Sequence, residues 1–297
     1  MQSIIALGFF DGVHLGHGAL LRRTAELAAE HGWKPVVMTF DRSPGKDGRL
    51  LTSVADRIRL IRELYGIENV EVLPFTVKLM HMAWDAFLEM LVRDYGAAHL
   101  VCGWDYRFGF LGQGDAELLR RWCADHALGC DVVERCTVDG ITVSSSFLKT
   151  LIEAGDTEAA IRWYGHPHTI SGTVQPGRRL GRTLGFPTAN LVPAPELLLP
   201  RDGVYAVTAA AGGQVFAGVC NIGTRPTVGG HLRTVETWLS DFNRDLYGMT
   251  LRVDFYRYLR PERSFPDLEA LREQVERDKT EALAYFAESK KTREVRI

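Results

Sequence analysis

The sequence predicts an α/β domain followed by an all-β domain, and three features of the residue pattern support this order. Short apolar segments alternate with helical stretches in the first half, as in a parallel sheet covered on both faces. Residues 169–258 are rich in Gly, Pro, Val and Thr without helical periodicity, which is typical of an antiparallel barrel or sandwich. A last amphipathic stretch, residues 267–287, predicts a helix packed on that sheet.

The elements of the first half are predicted from apolar runs and helix signals. We expect strands at residues 3–8, 34–40, 70–73, 99–103 and 130–134. We expect helices at residues 17–31, 84–95, 115–128 and 146–164, with Gly32 ending the first. Ser53 is expected to cap one more helix, with Val54, Ile58, Ile61 and Leu64 on its apolar face.

The second half is predicted as short strands joined by turns. Strands are expected at residues 203–209, 215–220, 234–239 and 251–256. The last helix carries an apolar face expected to pack on them, formed by Leu268, Leu271, Val275 and Leu283. The change of pattern places the domain boundary near residue 163, which gives domains at residues 1–162 and 163–297.

Composition narrows the function classes. A chain of 297 residues suits two domains, and a net charge of −2 gives no footprint for nucleic-acid binding. No apolar run reaches the length of a membrane span, and residues 1–7 are predicted to form a buried strand rather than a signal peptide. The five cysteines form no C-x-x-C pair, so we expect reduced thiols in the cytoplasm and no zinc site.

A candidate phosphate site lies where the first strand gives way to the first helix, in the segment G-F-F-D-G-V-H-L-G-H at residues 8–17. Gly12 and Gly16 allow the backbone to approach a ligand closely, and a helix N-terminus favours anions. His14 and His17 can face one phosphate from a single helical turn. Two capping or surface histidines are the alternative, but the H-x-G-H spacing at this position favours phosphate binding.

This segment resembles the signature of the nucleotidyltransferase domain of bacterial bifunctional FAD synthetases. The resemblance implies that His14 and His17 hold ATP phosphates while the FMN phosphate attacks, with catalysis by positioning and charge stabilisation. It extends to G-W-D-Y-R-F-G at residues 103–109 and to V-S-S-S-F-L-K at residues 143–149. The resemblance implies nucleotide or flavin binding by Asp105 and Phe108. It also implies phosphate binding by a larger set of residues: Gly8, Phe9, Asp11, Gly12, Gly16, Ser144, Ser145 and Lys149.

Two positions depart from the family pattern. The family usually reads F-D-x-H-P after the second strand, whereas this chain has Ser43 in place of the histidine. Lys149 stands where arginine is usual, which keeps the charge but loses the bidentate fork. These changes are either neutral or the mark of a weakened adenylyltransferase, and the sequence leaves both readings open.

A second candidate site is a glycine-rich segment that leads into P-T-A-N. Its glycines, which are Gly172, Gly177, Gly181 and Gly185, recur every four or five residues, as phosphate-binding loops or barrel turns both require. The segment lacks the Lys-Ser/Thr of a P-loop and is not a G-x-G-x-x-G motif.

The whole string, G-x4-G-x3-G-x3-G-F-P-T-A-N, resembles the riboflavin kinase module, which is a six-stranded antiparallel barrel. The resemblance implies that these glycines and Thr188 bind ATP phosphates and that Thr188 and Asn190 hold Mg²⁺, a hard ion suited to oxygen ligands. In V-E-T-W-L, Glu236 corresponds to the family's general base, although such a residue is otherwise typical of an exposed strand. A three-glycine segment, residues 223–232, resembles a flap over the substrate.

The resemblance covers residues 8–287 in family order and implies a cytoplasmic enzyme that phosphorylates riboflavin to FMN and adenylylates FMN to FAD, releasing pyrophosphate. ATP and Mg²⁺ would serve both sites, with no nucleic-acid or membrane partner. Two alternatives remain: a riboflavin kinase whose first domain binds nucleotide with weak or no adenylylation, and a non-catalytic flavin-binding protein. The second is disfavoured because a pure binder needs neither a base nor a metal site.

Overall fold

The computed structural model describes residues 2–43, 48–177, 185–227 and 230–294. The chain divides into two compact units, the first built almost wholly from residues up to 145 and the second from residue 146 onward. Each unit has its own hydrophobic core. No helix in the described part of the chain has the length and hydropathy needed to span a bilayer.

The first unit is built on a parallel sheet of five strands, as predicted. The strands are β1 (Ser3–Leu7), β2 (Lys34–Phe40), β3 (Asn69–Leu73), β4 (Ala97–Gly103) and, after two short ones, β7 (Gly129–Val133). Their order is β3-β2-β1-β4-β7, and every pairing is parallel. The strand order reverses between β1 and β4, which is where doubly wound sheets bind ligands.

The longer helices of the first unit follow the predicted order, whereas its four short strands were not predicted. The helices are α1 (Leu15–His31), α2 (Val54–Tyr65), α3 (Val77–Met80), α4 (Trp84–Tyr95) and α5 (Ala116–Asp125). Short ladders pair β5 (Arg107–Phe108) with β6 (Gly114–Asp115), and β8 (Thr137–Val138) with β9 (Ile141–Thr142). Gly32 ends α1 in the left-handed conformation at φ 66°, which confirms the predicted stop. The one-turn helix α3 was not predicted.

Alternate residues of β1 supply two cores, one on each face of the sheet. Ile5 and Leu7 pack in the same cluster as Leu88 of α4, whereas Ile4 and Ala6 pack with Leu21 of α1. Helices therefore cover both faces, which confirms the predicted α/β arrangement.

The predicted apolar face of α2 is wrong in part. Leu64 is 45% exposed, whereas the buried positions are Asp56, Arg57, Leu60 and Ile61. The helix is rotated toward the end of β2 because Arg57 is hydrogen-bonded there, and a pattern based on apolar residues alone cannot anticipate a buried arginine.

The second unit begins with two helices where one helical stretch was predicted. These are α6 (Ser145–Ala154), whose first residue belongs to the first unit, and α7 (Thr157–Tyr164). Gly155, at φ 79°, breaks the stretch, and the Asp156 side chain then caps α7 by accepting the N–H of Ala159 at 3.1 Å.

The remaining strands form a six-stranded antiparallel sheet, which confirms the predicted barrel. They are β10 (His168–Thr173), β11 (Thr188–Leu191), β12 (Gly203–Ala211), β13 (Gln214–Thr227), β14 (Gly230–Leu239) and β15 (Thr250–Arg260). Their order is β10-β15-β12-β13-β14-β11. The ends of the sheet meet because Gln175, just after β10, donates its N–H to the Asn190 carbonyl of β11 at 2.9 Å.

The terminal helix, α8 (Leu268–Glu294), packs on the sheet, but its predicted packing face is wrong in part. Leu268 and Leu283 are exposed, whereas Ala282 is fully buried in a cluster with Tyr285 and Phe286 and with residues of β12 and β13. Two aromatic rings set the packing face, and their positions do not follow the leucine spacing.

Candidate active sites

The first site forms where β1 ends, at the point of strand reversal. Gly8 extends the hydrogen bonding between β1 and β2 by donating its N–H to the Met38 carbonyl. A Cβ at Gly8 would lie 3.0 Å from the Phe10 ring. Gly12 adopts φ 83°, which turns the chain into α1. The predicted phosphate segment therefore forms a tight turn at a helix N-terminus.

His14 caps α1 and thereby fixes its own tautomer. Its Nδ1 accepts the backbone N–H of His17 at 3.2 Å, so the neutral ring carries its proton on Nε2, which is the remaining donor. The two imidazoles stack at 3.6 Å between centroids, and Phe10 packs edge-on against His17 at 5.2 Å. The structure thus brings the two predicted histidines together as one polar surface.

The His17 ring is half-buried, and its pKa lies well below its usual value. Burial is the main cause, followed by the neighbouring His14 and the Arg57 guanidinium. At neutral pH this ring is therefore neutral. Because the His17 ring is neutral, the stacked pair does not carry the repulsion that two imidazolium ions would create.

The serine block meets the same turn. The Ser145 hydroxyl, at the start of α6, donates to the backbone carbonyl of the buried Asp11 at 3.0 Å. A Cβ at Gly16 would lie 3.2 Å from the His14 ring and 3.5 Å from the Val143 carbonyl, so glycine permits this approach. Ser144 immediately precedes the helix, and Lys149 lies one turn along it.

An apolar cavity of about 630 Å³ lies in the same unit, near the ends of β2 and β3. Aromatic and methionine side chains dominate its lining: Phe40, Phe75, Met80, Met82, Phe87, Tyr106, Phe108 and Phe110. Phe108 thus lines it, whereas Asp105 is exposed and is not among the lining residues. A cavity of this size and character suits a flat aromatic ring system.

The loop after β2 carries the Ser43 departure. The Asp41 carboxylate accepts the N–H of Phe75 at 2.8 Å, which ties this loop to the cavity wall. Ser43 is the last described residue before the gap, and Pro44 lies outside the described residues.

The second site forms at the β11–β14 pairing. Asn190 and Glu236 are Cα partners in the antiparallel register, and so are Thr188 and Trp238. Directly opposed residues point to the same face, and so do residues two apart on one strand. Thr188, Asn190 and Glu236 therefore share one face of the sheet, while the alternate residues Ala189 and Val235 face the barrel core.

A cavity of about 290 Å³ adjoins this face and is lined by Thr188, Asn190 and Gly177. Asn190 is buried, and its amide nitrogen donates to the Thr188 carbonyl at 3.3 Å. A Cβ at Gly177 would lie 2.5 Å from that amide, so only glycine leaves this space to the asparagine. A hydroxyl and an amide oxygen beside a cavity fit a partly hydrated Mg²⁺, whose charge a nucleotide would balance.

The other predicted glycines contribute differently. Gly185, at φ 84°, turns the chain just before Phe186, and a Cβ there would meet nothing within 4 Å. A Cβ at Gly172 would meet Leu191 at 3.7 Å, which is an ordinary van der Waals distance, so the structure does not require glycine at this position. Gly181 lies outside the described residues, and the predicted flap at residues 223–232 does so in part.

Two residues near the sites were not anticipated from the sequence. Arg57 is buried beside the phosphate turn, where its guanidinium lies 4.3 Å from the Phe9 ring centroid. Lys279 of α8 places its amine 5.2 Å from the Phe186 ring and 4.6 Å from the Trp238 ring. A basic residue on a helix normally indicates a solvated face, so nothing in the sequence distinguishes Arg57 or Lys279 from an ordinary surface residue.

The fold and the two sites define a two-part protein: a doubly wound domain with a turn of the H-x-G-H type, followed by a barrel in which a glutamate opposes an asparagine across two strands. Family models match both parts, FAD synthetase at residues 1–147 and riboflavin kinase at residues 164–286.

Relatives match over nearly the full length. The bifunctional riboflavin kinase/FMN adenylyltransferase of Bacillus subtilis is 36% identical and covers 98% of this chain and 94% of its own. The Escherichia coli K12 protein of the same name is 33% identical, with 97% and 94% covered. A solved structure named macrolide-efflux protein, from Streptococcus pneumoniae, superposes with a TM-score of 0.82 at 29% identity and covers 93% and 92% of the two chains. The chain belongs to the bifunctional riboflavin kinase/FMN adenylyltransferase family.

Proposed function

We propose that this chain converts riboflavin to FMN in residues 163–297 and FMN to FAD in residues 1–162, with ATP as co-substrate of both reactions. The observation that carries the kinase half is the pairing of Glu236 with Asn190, since Asn190 lines a cavity although Glu236 itself is not among the lining residues. The stacked histidines at the start of α1 support the adenylylating half. The boundary follows the change of sequence pattern near residue 163.

In the kinase reaction the 5′-hydroxyl oxygen of riboflavin forms a bond to the γ-phosphorus of ATP, and ADP leaves. The Glu236 carboxylate accepts the hydroxyl proton, and a positioned base of this kind contributes about 10²–10⁴-fold in rate. Thr188 and Asn190 would hold Mg²⁺, which would neutralise charge on the phosphates when bound. Gly172, Gly177, Gly181 and Gly185 would bring backbone N–H groups to the phosphates.

In the adenylylation an oxygen of the FMN phosphate forms a bond to the α-phosphorus of ATP, and pyrophosphate leaves. The Nε2–H of His14 donates to a phosphate oxygen, and His17 stacks behind it. The N-terminus of α1 adds N–H donors. Ser144, Ser145 and Lys149 complete the phosphate-binding set, and Gly8, Phe9, Asp11, Gly12 and Gly16 shape the turn.

We place the flavin ring of FMN in the aromatic cavity near β2 and β3. The argument is the size and chemistry of the lining, because a planar ring system stacks well on Phe, Tyr and Met side chains. Phe108 contributes to this wall, and exposed Asp105 is proposed to bind the nucleotide or the polar flavin tail. We also propose a cytoplasmic location, since all five cysteines are free thiols.

The deciding experiment is a time course from riboflavin, ATP and Mg²⁺ that resolves FMN from FAD. We expect FMN to appear first and FAD to follow with release of pyrophosphate. FMN that accumulates without FAD, also when FMN is supplied directly, would support the alternative of a riboflavin kinase with an inactive first domain. Flavin binding without ATP consumption would reject both enzyme functions.

A further inference from the structure

Arg57 is the largest of the side chains in the described residues that have essentially no exposed surface. Burying a guanidinium costs free energy unless hydrogen bonds or an opposite charge compensate it. A buried arginine is therefore usually retained for a role in the fold or in a site. Neither the family signature segments nor the chemistry above uses this residue. Its surroundings are the end of β2 and the start of the phosphate turn after β1.

The guanidinium links the end of β2 to the residue after Gly8. Its Nη1 donates to the Thr39 hydroxyl at 3.0 Å and to the Phe40 carbonyl at 2.9 Å. Thr39 in turn donates its hydroxyl to the Phe9 carbonyl at 2.7 Å, and the guanidinium carbon lies 4.3 Å from the Phe9 ring centroid. Phe9 is therefore held at its backbone and at its ring by one arginine-centred network.

The network keeps unused hydrogen-bonding capacity. Among the described residues, buried Nε and Nη2 of Arg57 and buried Nδ1 of His17 have no hydrogen-bond partner. A buried polar atom left in this way costs about 1–3 kcal/mol, so such atoms are usually retained for a reason.

We propose that Arg57 is a positioning residue for adenylyl transfer, which fixes Phe9 and the end of β2 and keeps a positive charge near His17. The inference rests on the adenylylation proposed above. It also bears on Ser43, because the strand end that Arg57 fixes leads directly into the loop where the family histidine is replaced.

The charge has a measurable effect on His17. The groups that act electrostatically on its ring are His14 on the same turn and Arg57 on α2, and both lower its pKa in addition to burial. Asp11 is the carboxylate that acts on Arg57 and favours the charged guanidinium. Removing the charge at position 57 therefore raises the pKa of His17 toward its usual value, while burial and His14 still hold it below that value.

The test uses the full chain with Arg57→Met, Arg57→Lys and the control Arg59→Met. Arg59 lies on the same helix but pairs with Glu63 and Asp56. Three measurements are needed: kcat and KM for ATP with FMN as substrate, formation of FMN from riboflavin as a check of folding, and an NMR titration of the histidine rings assigned with His17→Gln.

We expect Arg57→Met to lose at least about tenfold in kcat/KM for ATP, corresponding to one lost interaction of about 1.4 kcal/mol or more. His17 should titrate at higher pH in this variant, and the acidic limb of the adenylylation profile should move in the same direction. Arg57→Lys should keep the His17 titration and lose part of kcat, and Arg59→Met should match the parent. Kinase activity should stay within about twofold throughout, because the variants lie in the other unit.

Wild-type adenylylation kinetics in folded Arg57→Met would overturn the proposal, and so would an unchanged His17 titration. If Arg57→Met does not fold, Arg57→Lys decides, because parent-level kcat there would show that the guanidinium geometry is dispensable. The titration also separates this inference from the proposed function. A parent chain that makes no FAD would reject the function, whereas the effect of the charge on His17 would still be measurable.

Discussion

Asn190 and Glu236 are opposed partners on β11 and β14, and their side chains stand on one face outside the barrel core. The proposed metal-binding amide and the proposed base are thus separated by a single cross-strand step, about 4.5–5.5 Å between Cβ atoms. Backbone pairing fixes this distance, so it does not depend on how a loop closes. The arrangement would let both residues act on the same phosphoryl group, as the proposed function requires.

Glu236→Gln should remove riboflavin phosphorylation while sparing FAD formation from supplied FMN. The amide keeps the shape but cannot accept the hydroxyl proton, so we expect a loss of about 10²–10⁴-fold in kcat. Glu262→Gln is the matched control, because Glu262 accepts from Asn221, the other cross-strand partner of Glu236. Equal losses in the two variants would point to general electrostatics rather than to a base.

Gly177→Ala should impair the kinase far more than Gly172→Ala. The new Cβ at 177 would lie 2.5 Å from the Asn190 amide and would displace it, whereas the one at 172 would meet Leu191 at 3.7 Å. We expect an increase of at least about fivefold in KM for ATP-Mg²⁺ in the first variant, since misplaced groups lose this much readily. An unchanged KM in Gly177→Ala would show that Asn190 does not take part in nucleotide binding.

His14→Ala combined with His17→Ala should abolish FAD formation and leave FMN formation intact. The pair is proposed to supply donors to the phosphates, and no other described histidine stacks with either ring. The two activities, measured by separating flavins in one reaction mixture, serve as mutual controls. Loss of both activities would indicate that the substitutions damage folding beyond the first unit.

Phe75→Ala should raise KM for FMN in adenylylation with little change in KM for ATP. Phe75 lines the aromatic cavity, packs on Phe40 at 5.4 Å and is tied to Asp41. Removing a stacking ring costs about 1–3 kcal/mol, or roughly fivefold in affinity at the lower end. Val77→Ala, at a 71% exposed position that does not line the cavity, provides the control. Equal KM values for FMN in the two variants would place the flavin elsewhere.

Acid should destabilise the second unit through His168. Burial lowers the pKa of this ring to about 4, and its Nε2 donates to the Leu198 carbonyl. The unfolded state takes up a proton near pH 6.5 and the folded state does not, so stability is highest above that pH. It falls as pH drops toward about 4, by at most about 3 kcal/mol from this group. His168→Gln should flatten that part of the pH profile of unfolding by urea, and an unaltered slope would contradict it.

Local chemistry predicted most of the fold correctly. Gly32 and Asp115 mark helix ends that need no tertiary information, and the structure shows both acting as caps. The faces of α2 and α8 were partly wrong, because apolar spacing does not say which neighbour a helix meets. Leu64 and Leu283 are exposed for this reason, while a buried arginine and two aromatic rings decide the packing.

The candidate sites were predicted from motifs, but their geometry was not. Spacing places His14 and His17 on one turn, whereas the opposition of Asn190 and Glu236 depends on a register between strands 46 residues apart. Arg57 had no signal, because its role arises from Thr39 and Phe9 on other elements. Long-range pairing carries this information, and it cannot be read from local residue patterns.

The hydrogen bond from Gln175 to Asn190 closes the barrel through a residue of the proposed nucleotide site. Opening of this seam and release of nucleotide are therefore coupled steps of one equilibrium. Occupancy at 100 times the dissociation constant would stabilise the closed seam by about 2.7 kcal/mol. The amide proton of Gln175 should accordingly exchange with solvent about a hundredfold more slowly in the presence of saturating nucleotide. The exchange rate of this one backbone hydrogen would then measure how far the nucleotide site is occupied.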